Sequence, residues 1–168
     1  MEPKKPFELI VREHGPTVLR VCRAVLGPHD AEDGWSETFL SALRSYPELP
    51  AGANVQAWLV TIAHRKSIDI VRARSRRPVP VDVLPVSHSR LGIPGDGHAE
   101  VLDAVGQLPP KQRQAVAYHY LAGLPYKDVA VLLGGTPDAA RRAGADGVKA
   151  LRTILVDSYV SYVKEETP

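Results

Sequence analysis

Apolar positions recur at spacings of three and four along most of the chain, the period of amphipathic helices. Phe7, Ile10 and Val11 begin the series, and Val18, Val21, Cys22, Val25 and Leu26 continue it. Gly15-Pro16 interrupts the pattern and predicts a break or kink, because proline lacks the N–H that a helix interior needs. Gly27-Pro28-His29-Asp30 closes the second apolar run. Asp30 is placed to cap a next helix whose apolar face holds Ala31, Trp35, Phe39 and Leu43. Pro47 to Asn54 is rich in Pro, Gly and Ala and reads as a loop. A further helix is expected from about Val55 to Arg74, with Trp58, Leu59, Ile62, Ile68 and Val71 inward.

The pattern stops at Pro78. From there to Gly97 the chain carries Pro78, Pro80, Pro85 and Pro94 with Gly92, Gly95 and Gly97, a density that breaks regular structure. Residues 78–98 are therefore read as a linker between a first domain at 1–77 and a second at 99–168. The second also reads as helical. Val101, Leu102, Val105 and Leu108 form a short helix, and Pro109-Pro110 suits the first turn of the next, which runs to about Leu121 and is closed by Gly123. Tyr126 to Leu133 is a short apolar helix. Thr136 is a good N-cap and Pro137 a good first residue for a long helix over about 137–163, with Val148, Leu151, Ile154 and Leu155 on one side. A short helix, a glycine turn and a longer helix make a helix-turn-helix pattern. The fold class is all-α: two small helical domains joined by a Pro/Gly-rich linker.

Composition narrows the function. The chain has 168 residues, 44% of them hydrophobic and 24% charged, as in an ordinary folded protein. Its longest apolar run is Val129–Leu133, against about 20 residues for a membrane span. Residues 1–6 lead into no signal-type apolar stretch, so a cytoplasmic location is expected. One cysteine, Cys22, excludes an internal disulfide and a cysteine metal cluster, and its apolar surroundings make it a core residue. The six histidines are scattered with no metal-pair spacing, and no metal or cofactor is expected. Net charge is only +2, but the first domain carries 12 basic and 9 acidic groups and ends in the cluster Arg72, Arg74, Arg76 and Arg77.

Two sets of residues together resemble the bacterial RNA polymerase sigma factors of the extracytoplasmic-function type. The first set is Asp30-Ala31-Glu32-Asp33, Glu37-Thr38-Phe39, Trp58-Leu59, Ile62-Ala63, Asp69 and Arg72. The second is Leu108-Pro109-Pro110-Lys111-Gln112-Arg113, Gly123 to Ala130 and Leu133-Gly134. The match covers roughly 7–77 and 101–152, a region 2-like bundle and a region 4-like helix-turn-helix. The resemblance implies no enzyme, but a transcription initiation factor that binds core polymerase and directs it to promoters. It implies docking of the helix after Asp30 on the clamp helices of the largest subunit, through Asp30, Glu32, Asp33 and Glu37. The second domain would meet the flap of the second-largest subunit. The implied promoter-DNA set is Asn54, His64, Arg65, Lys66, Arg72, Arg74, Arg76 and Arg77 for opening the downstream element, and Thr136, Asp138, Arg141, Arg142 and Lys149 for the upstream one. It leaves open an anti-sigma partner. Such cationic surfaces bind phosphates by counterion release, so binding falls steeply with salt.

The chain departs from the family pattern in places. Ser36 stands where a Gln is usual, Gly144 where a core Leu is expected, and Asp146 where a base is. Two mid-helix glycines, Gly144 and Gly147, cost roughly 1 kcal/mol each relative to alanine. These departures keep a degenerate sigma-like regulator open as an alternative. A helix-turn-helix regulator that never joins polymerase is another, although such proteins usually dimerise and only Val156–Val163 offers apolar positions for a seam. A nucleotide-binding enzyme with Val129–Gly135 as strand and phosphate loop is a third. It lacks a Gly-x-Gly-x-x-Gly or Gly-Lys-Ser/Thr motif and a second strand.

Overall fold

The computed structural model describes residues 3–77 and 98–165, and every regular element among them is helical. Helices α1 (Phe7–Leu26), α2 (Ala31–Ser45) and α3 (Val55–Arg76) make the first half. Helices α4 (Ala99–Gly106), α5 (Pro110–Val116), α6 (Tyr126–Leu133) and α7 (Pro137–Glu165) make the second. Of the expected linker, residues 78–97 lie outside the described residues. Val129–Leu133 belongs to α6, so the strand that a nucleotide-binding reading needs is a helix instead.

Of the break or kink expected at Gly15-Pro16, the break does not occur: α1 is one helix through both residues. The indole N–H of Trp35 donates to the Gly15 carbonyl at 3.0 Å. Its ring lies 3.6 Å from where a Gly15 Cβ would stand. A side chain from α2 thus holds α1 at its weakest turn.

Leu43 and Val71, expected inward, are exposed. The inward face of α2 is Ala31, Gly34, Thr38, Phe39 and Ala42, largely small residues that let α1 approach closely. A Cβ at Gly34 would come within 2.6 Å of Leu26 Cδ1 and 3.3 Å of Cys22 Sγ. Inward places on α2 are filled without Leu43. On α3 the buried face is Leu59, Val60, Ala63, His64 and Ser67, and residues 71–77 are all exposed. Asp30 precedes α2 but makes no cap hydrogen bond with its side chain, which pairs with Arg74 on α3 instead.

One core lies within the first half: Ile10, Val18, Cys22 and Leu26 of α1 meet Phe39 and Ala42 of α2 and Leu59 and Ala63 of α3. Burial pushes the Cys22 thiol up to about 12, which keeps it protonated and inert. The other core is built by both halves. Val21, Ala24 and Val25 of α1 and Val60 of α3 join Leu102, Val105, Leu108, Val116, Tyr118, Leu124 and Val129. Polar ties frame it. Arg23 pairs with Asp103 at 3.0 Å. Arg113 donates to the Val25 carbonyl at 3.3 Å and to the Leu108 carbonyl at 2.9 Å. The Gln56 amide donates to the Ala122 carbonyl.

In the second half, α5 is α-helical only to Val116, and a π-helical turn over Ala117–Leu121 completes the run expected as one helix. Gly134, at φ 76°, takes the left-handed conformation that ends α6, and the N–H groups of Gly134 and Gly135 both donate to the Ala130 carbonyl. Thr136 Oγ1 then accepts from the Ala139 N–H at 3.1 Å, a side-chain cap that starts α7 at Pro137. Gly144 and Gly147 are buried where α7 crosses its neighbours. A Cβ at Gly144 would stand 2.6 Å from Tyr126 Oη, and one at Gly147 would stand 2.6 Å from Val116 Cγ2. The glycines that weaken α7 as an isolated helix are what let it pack.

Candidate nucleic-acid interface

The expected site residues fall into three groups. On the outer face of α2, Glu32, Asp33 and Glu37 are exposed. Asp33 and Glu37 lie one turn apart and share a face with Leu40, which is 51% exposed, and beside them is Leu43 at 52%. The sequence pattern missed these two leucines as surface residues. Their signal was that α2 carries more apolar positions than one inward stripe can use.

The second group follows α3. Asn54 caps that helix: its side-chain oxygen accepts from the Ala57 N–H at 3.1 Å. Arg65, Arg72, Arg74, Arg76 and Arg77 are exposed and Lys66 is half-buried. Arg74 donates to the Leu26 carbonyl at 3.1 Å and pairs with Asp30, so one residue from each expected set meets the other. This end of α3 is a run of cations with little packed against it, a surface suited to phosphates.

His64 differs from its neighbours. It is 7% exposed, and its Nδ1 lies 2.6 Å from the Tyr118 hydroxyl of the second half. Burial holds its pKa below the usual 6.5, the Leu132 backbone acting against that and the Arg65 charge adding to it. The neutral ring with its proton on Nε2 accepts the Tyr118 hydroxyl proton at Nδ1. Beside it a groove of about 420 Å³ runs between α3 and α6, lined by Trp58, Thr61, Arg65, Asp128 and Val131 among others. The helical spacing of Val60, His64 and Ser67 was the signal for this second packed face.

This pair has a measurable consequence. A buried histidine with a lowered pKa supports the fold while neutral, fully so above the unfolded value near 6.5, and that support fades as pH falls below it. The melting temperature should therefore fall from pH 7.5 to pH 5.5, and His64→Gln should flatten part of that fall. An identical pH dependence in the variant would remove His64 as its source. His64→Ala at pH 7.5 leaves the Tyr118 hydroxyl buried without its partner and should cost about 1–3 kcal/mol in a denaturant titration.

The third group lies on α7. Thr136 is the cap described above. Asp138, Arg141, Arg142, Asp146 and Lys149 are exposed along the first four turns. Arg141 pairs with Asp138 at 2.8 Å. The first turns of a helix that follows a glycine turn are the part that enters a major groove in helix-turn-helix proteins. Arginine there can reach guanine edges or phosphates. Among the described residues no group of three or more His, Cys, Asp or Glu side chains could hold a metal ion, and no helix is long and apolar enough to cross a membrane.

Comparison with known proteins matches both halves. The family model for Sigma-70 region 2 covers residues 10–77, and that for Sigma-70, region 4 covers residues 98–151. RNA polymerase sigma factor CarQ of Myxococcus xanthus is 30% identical over 159 residues, 89% of this chain and 88% of that protein. The ECF RNA polymerase sigma factor SigK of Mycobacterium sp. (strain JLS) is 31% identical over 145 residues, 80% of this chain and 75% of that one. In fold, the chain is similar to the sigma factor RpoE crystallised with the anti-sigma factor NepR from Bartonella quintana. That likeness has a TM-score of 0.70 at 20% identity and covers 89% of this chain and 96% of that one.

Proposed function

The chain belongs to the extracytoplasmic-function family of RNA polymerase sigma factors, transcription initiation factors that bind core polymerase and direct it to promoters, and from that membership we propose how its own residues divide the work. The exposed acids Asp33 and Glu37, with Glu32, Leu40 and Leu43 around them, dock α2 on the largest subunit's clamp helices. The cations at the end of α3 hold the displaced DNA strand during opening. The first turns of α7 read the upstream element through Arg141 and Arg142, with Lys149 on phosphate. The second half meets the flap of the second-largest subunit. The protein catalyses nothing itself; the polymerase carries the chemistry, in the cytoplasm.

The observation that carries this reading is the chain's pairing of a region 2 match with a region 4 match whose capped helix presents its first turns to solvent. His64 is the residue it constrains most. With the second half packed on α3, His64 reaches Tyr118 and not DNA, so a DNA role for it requires the halves to separate on the polymerase. An anti-sigma partner, named for the RpoE structure above, is proposed for this chain as a protein that keeps the two halves from spreading. A polymerase-independent repressor is not favoured by any feature of the fold.

The test is co-purification with core polymerase at moderate and then high salt, followed by transcription on a promoter library. A stoichiometric complex that starts transcription is the expected result. Absence of any complex at moderate salt would overturn the reading.

A further inference from the structure

We infer that Tyr126, at the start of α6, is a positioning residue for promoter reading: it holds Arg141 of α7 in the direction from which that arginine meets DNA, and Gly144 is the gap that admits its ring. The inference rests on α7 being the recognition helix, as proposed above.

The ring of Tyr126 is fixed from several sides. It stacks on His119, with centroids 3.8 Å apart and planes 15° from parallel. His119 is itself held, its Nδ1 2.7 Å from the Leu124 carbonyl and its ring edge-on to Tyr120. Burial, with the neighbouring Tyr120 hydroxyl, pushes the Tyr126 hydroxyl up to about 12, so the ring stays neutral. Against this fixed ring lies the guanidinium of Arg141, its carbon 5.5 Å from the centroid. The same guanidinium donates to Asp138 at 2.8 Å. An exposed arginine normally samples many rotamers, and ordering it on binding weakens the complex. Here an aromatic face and a carboxylate restrain it before DNA arrives.

Gly144 completes the arrangement. It sits three residues after Arg141, on the same face of α7, and its absent Cβ leaves the space that Tyr126 occupies. A Cβ there would stand 2.6 Å from Oη and 3.1 Å from Cε1. A larger residue at 144 would push the ring away from its place beside Arg141. The glycine that looked like a departure from a DNA-reading helix is thus part of how this helix aims its arginine.

The experiment selects sequences with holoenzyme, the full chain bound to core polymerase, from double-stranded DNA randomised across the upstream element. Wild type is compared with Tyr126→Phe, Tyr126→Leu, Arg141→Ala and the Tyr126→Leu/Arg141→Ala double variant. Tyr126→Phe keeps the stack and should keep the selected sequence. Tyr126→Leu should relax discrimination about two- to fivefold, the scale of an exposed cation–π contact, and only at the base position that Arg141→Ala also relaxes. In the Arg141→Ala background it should change nothing further. A ring that only fills space would lower the melting temperature without this positional signature. Equal selection by wild type and Tyr126→Leu, or an effect that adds to Arg141→Ala, overturns the inference alone. A wild-type holoenzyme that initiates yet enriches no upstream sequence overturns the reading of α7 and the inference with it.

Discussion

Gly147→Leu should unfold the second half of the molecule at temperatures where the unchanged protein is intact. A Cβ at position 147 stands 2.6 Å from Val116 Cγ2 and 3.3 Å from the Gln112 carbonyl. Val116 is buried and β-branched, with little rotamer freedom, and the carbonyl belongs to the α5 backbone. Neither gives way unless α5 and α7 move apart, which opens the core around Leu108 and Tyr118. Overpacking of this kind costs about 1–3 kcal/mol, more as the added group grows. Gly147→Ala is the sharper test. Alanine gains about 1 kcal/mol of helix propensity over glycine. The clash should exceed that gain, so the variant melts lower, by about 2–4 °C for each kcal/mol lost. Gly106→Ala is the control: its added Cβ meets open space and should leave the melting temperature level or higher. A rise with Gly147→Ala would show that the helices are not limited by their approach there.

Reversing Asp33 and Glu37 together to lysine should abolish a stable complex with core polymerase and lower the melting temperature only by the few degrees that a cation in the first turn of α2 costs. Both side chains are exposed and neither makes a packing contact that the fold depends on. Removing a rim charge alters affinity modestly, whereas like charges brought face to face cost several kcal/mol. That is about a hundredfold or more in affinity. Leu40→Ala on the same face should weaken the complex about tenfold, the scale of burying a leucine that is now half exposed. Titration of labelled protein with core polymerase reads both. Wild-type affinity in the folded double reversal would move the docking surface off α2.

The helices were legible because their apolar spacing is strong, and the turn before α7 because Gly134, Thr136 and Pro137 each have one conformational use. Where expectation failed, a partner from elsewhere in the chain stands at the residue. Pro16 does not break α1, and Trp35 from α2 packs on that turn and donates to the Gly15 carbonyl. Asp30 does not cap α2 because Arg74 takes its carboxylate. Leu43 turns outward because Gly34, Thr38 and Ala42 make the closer approach to α1. The expected contact residues were legible as types, but not their surroundings. His64 looks like its basic neighbours in sequence, and only the second half of the fold separates it from them. Gly144 reads as a defect until Tyr126 is seen in its place. A periodicity marks that a face is buried; it carries no label for what buries it.

The core shared between the halves bears on how the protein is made. Val21, Val25 and Val60 are covered by Leu102, Val105 and Tyr118, which the ribosome adds much later. At about 5–20 residues per second, the 58 residues from Val60 to Tyr118 take roughly 3–12 s to add. Until Tyr118 is added, the flank of α1 and α3 that Leu102, Val105 and Tyr118 cover stays bare. Slow codons between the halves should therefore lengthen that exposure and lower the yield of native protein.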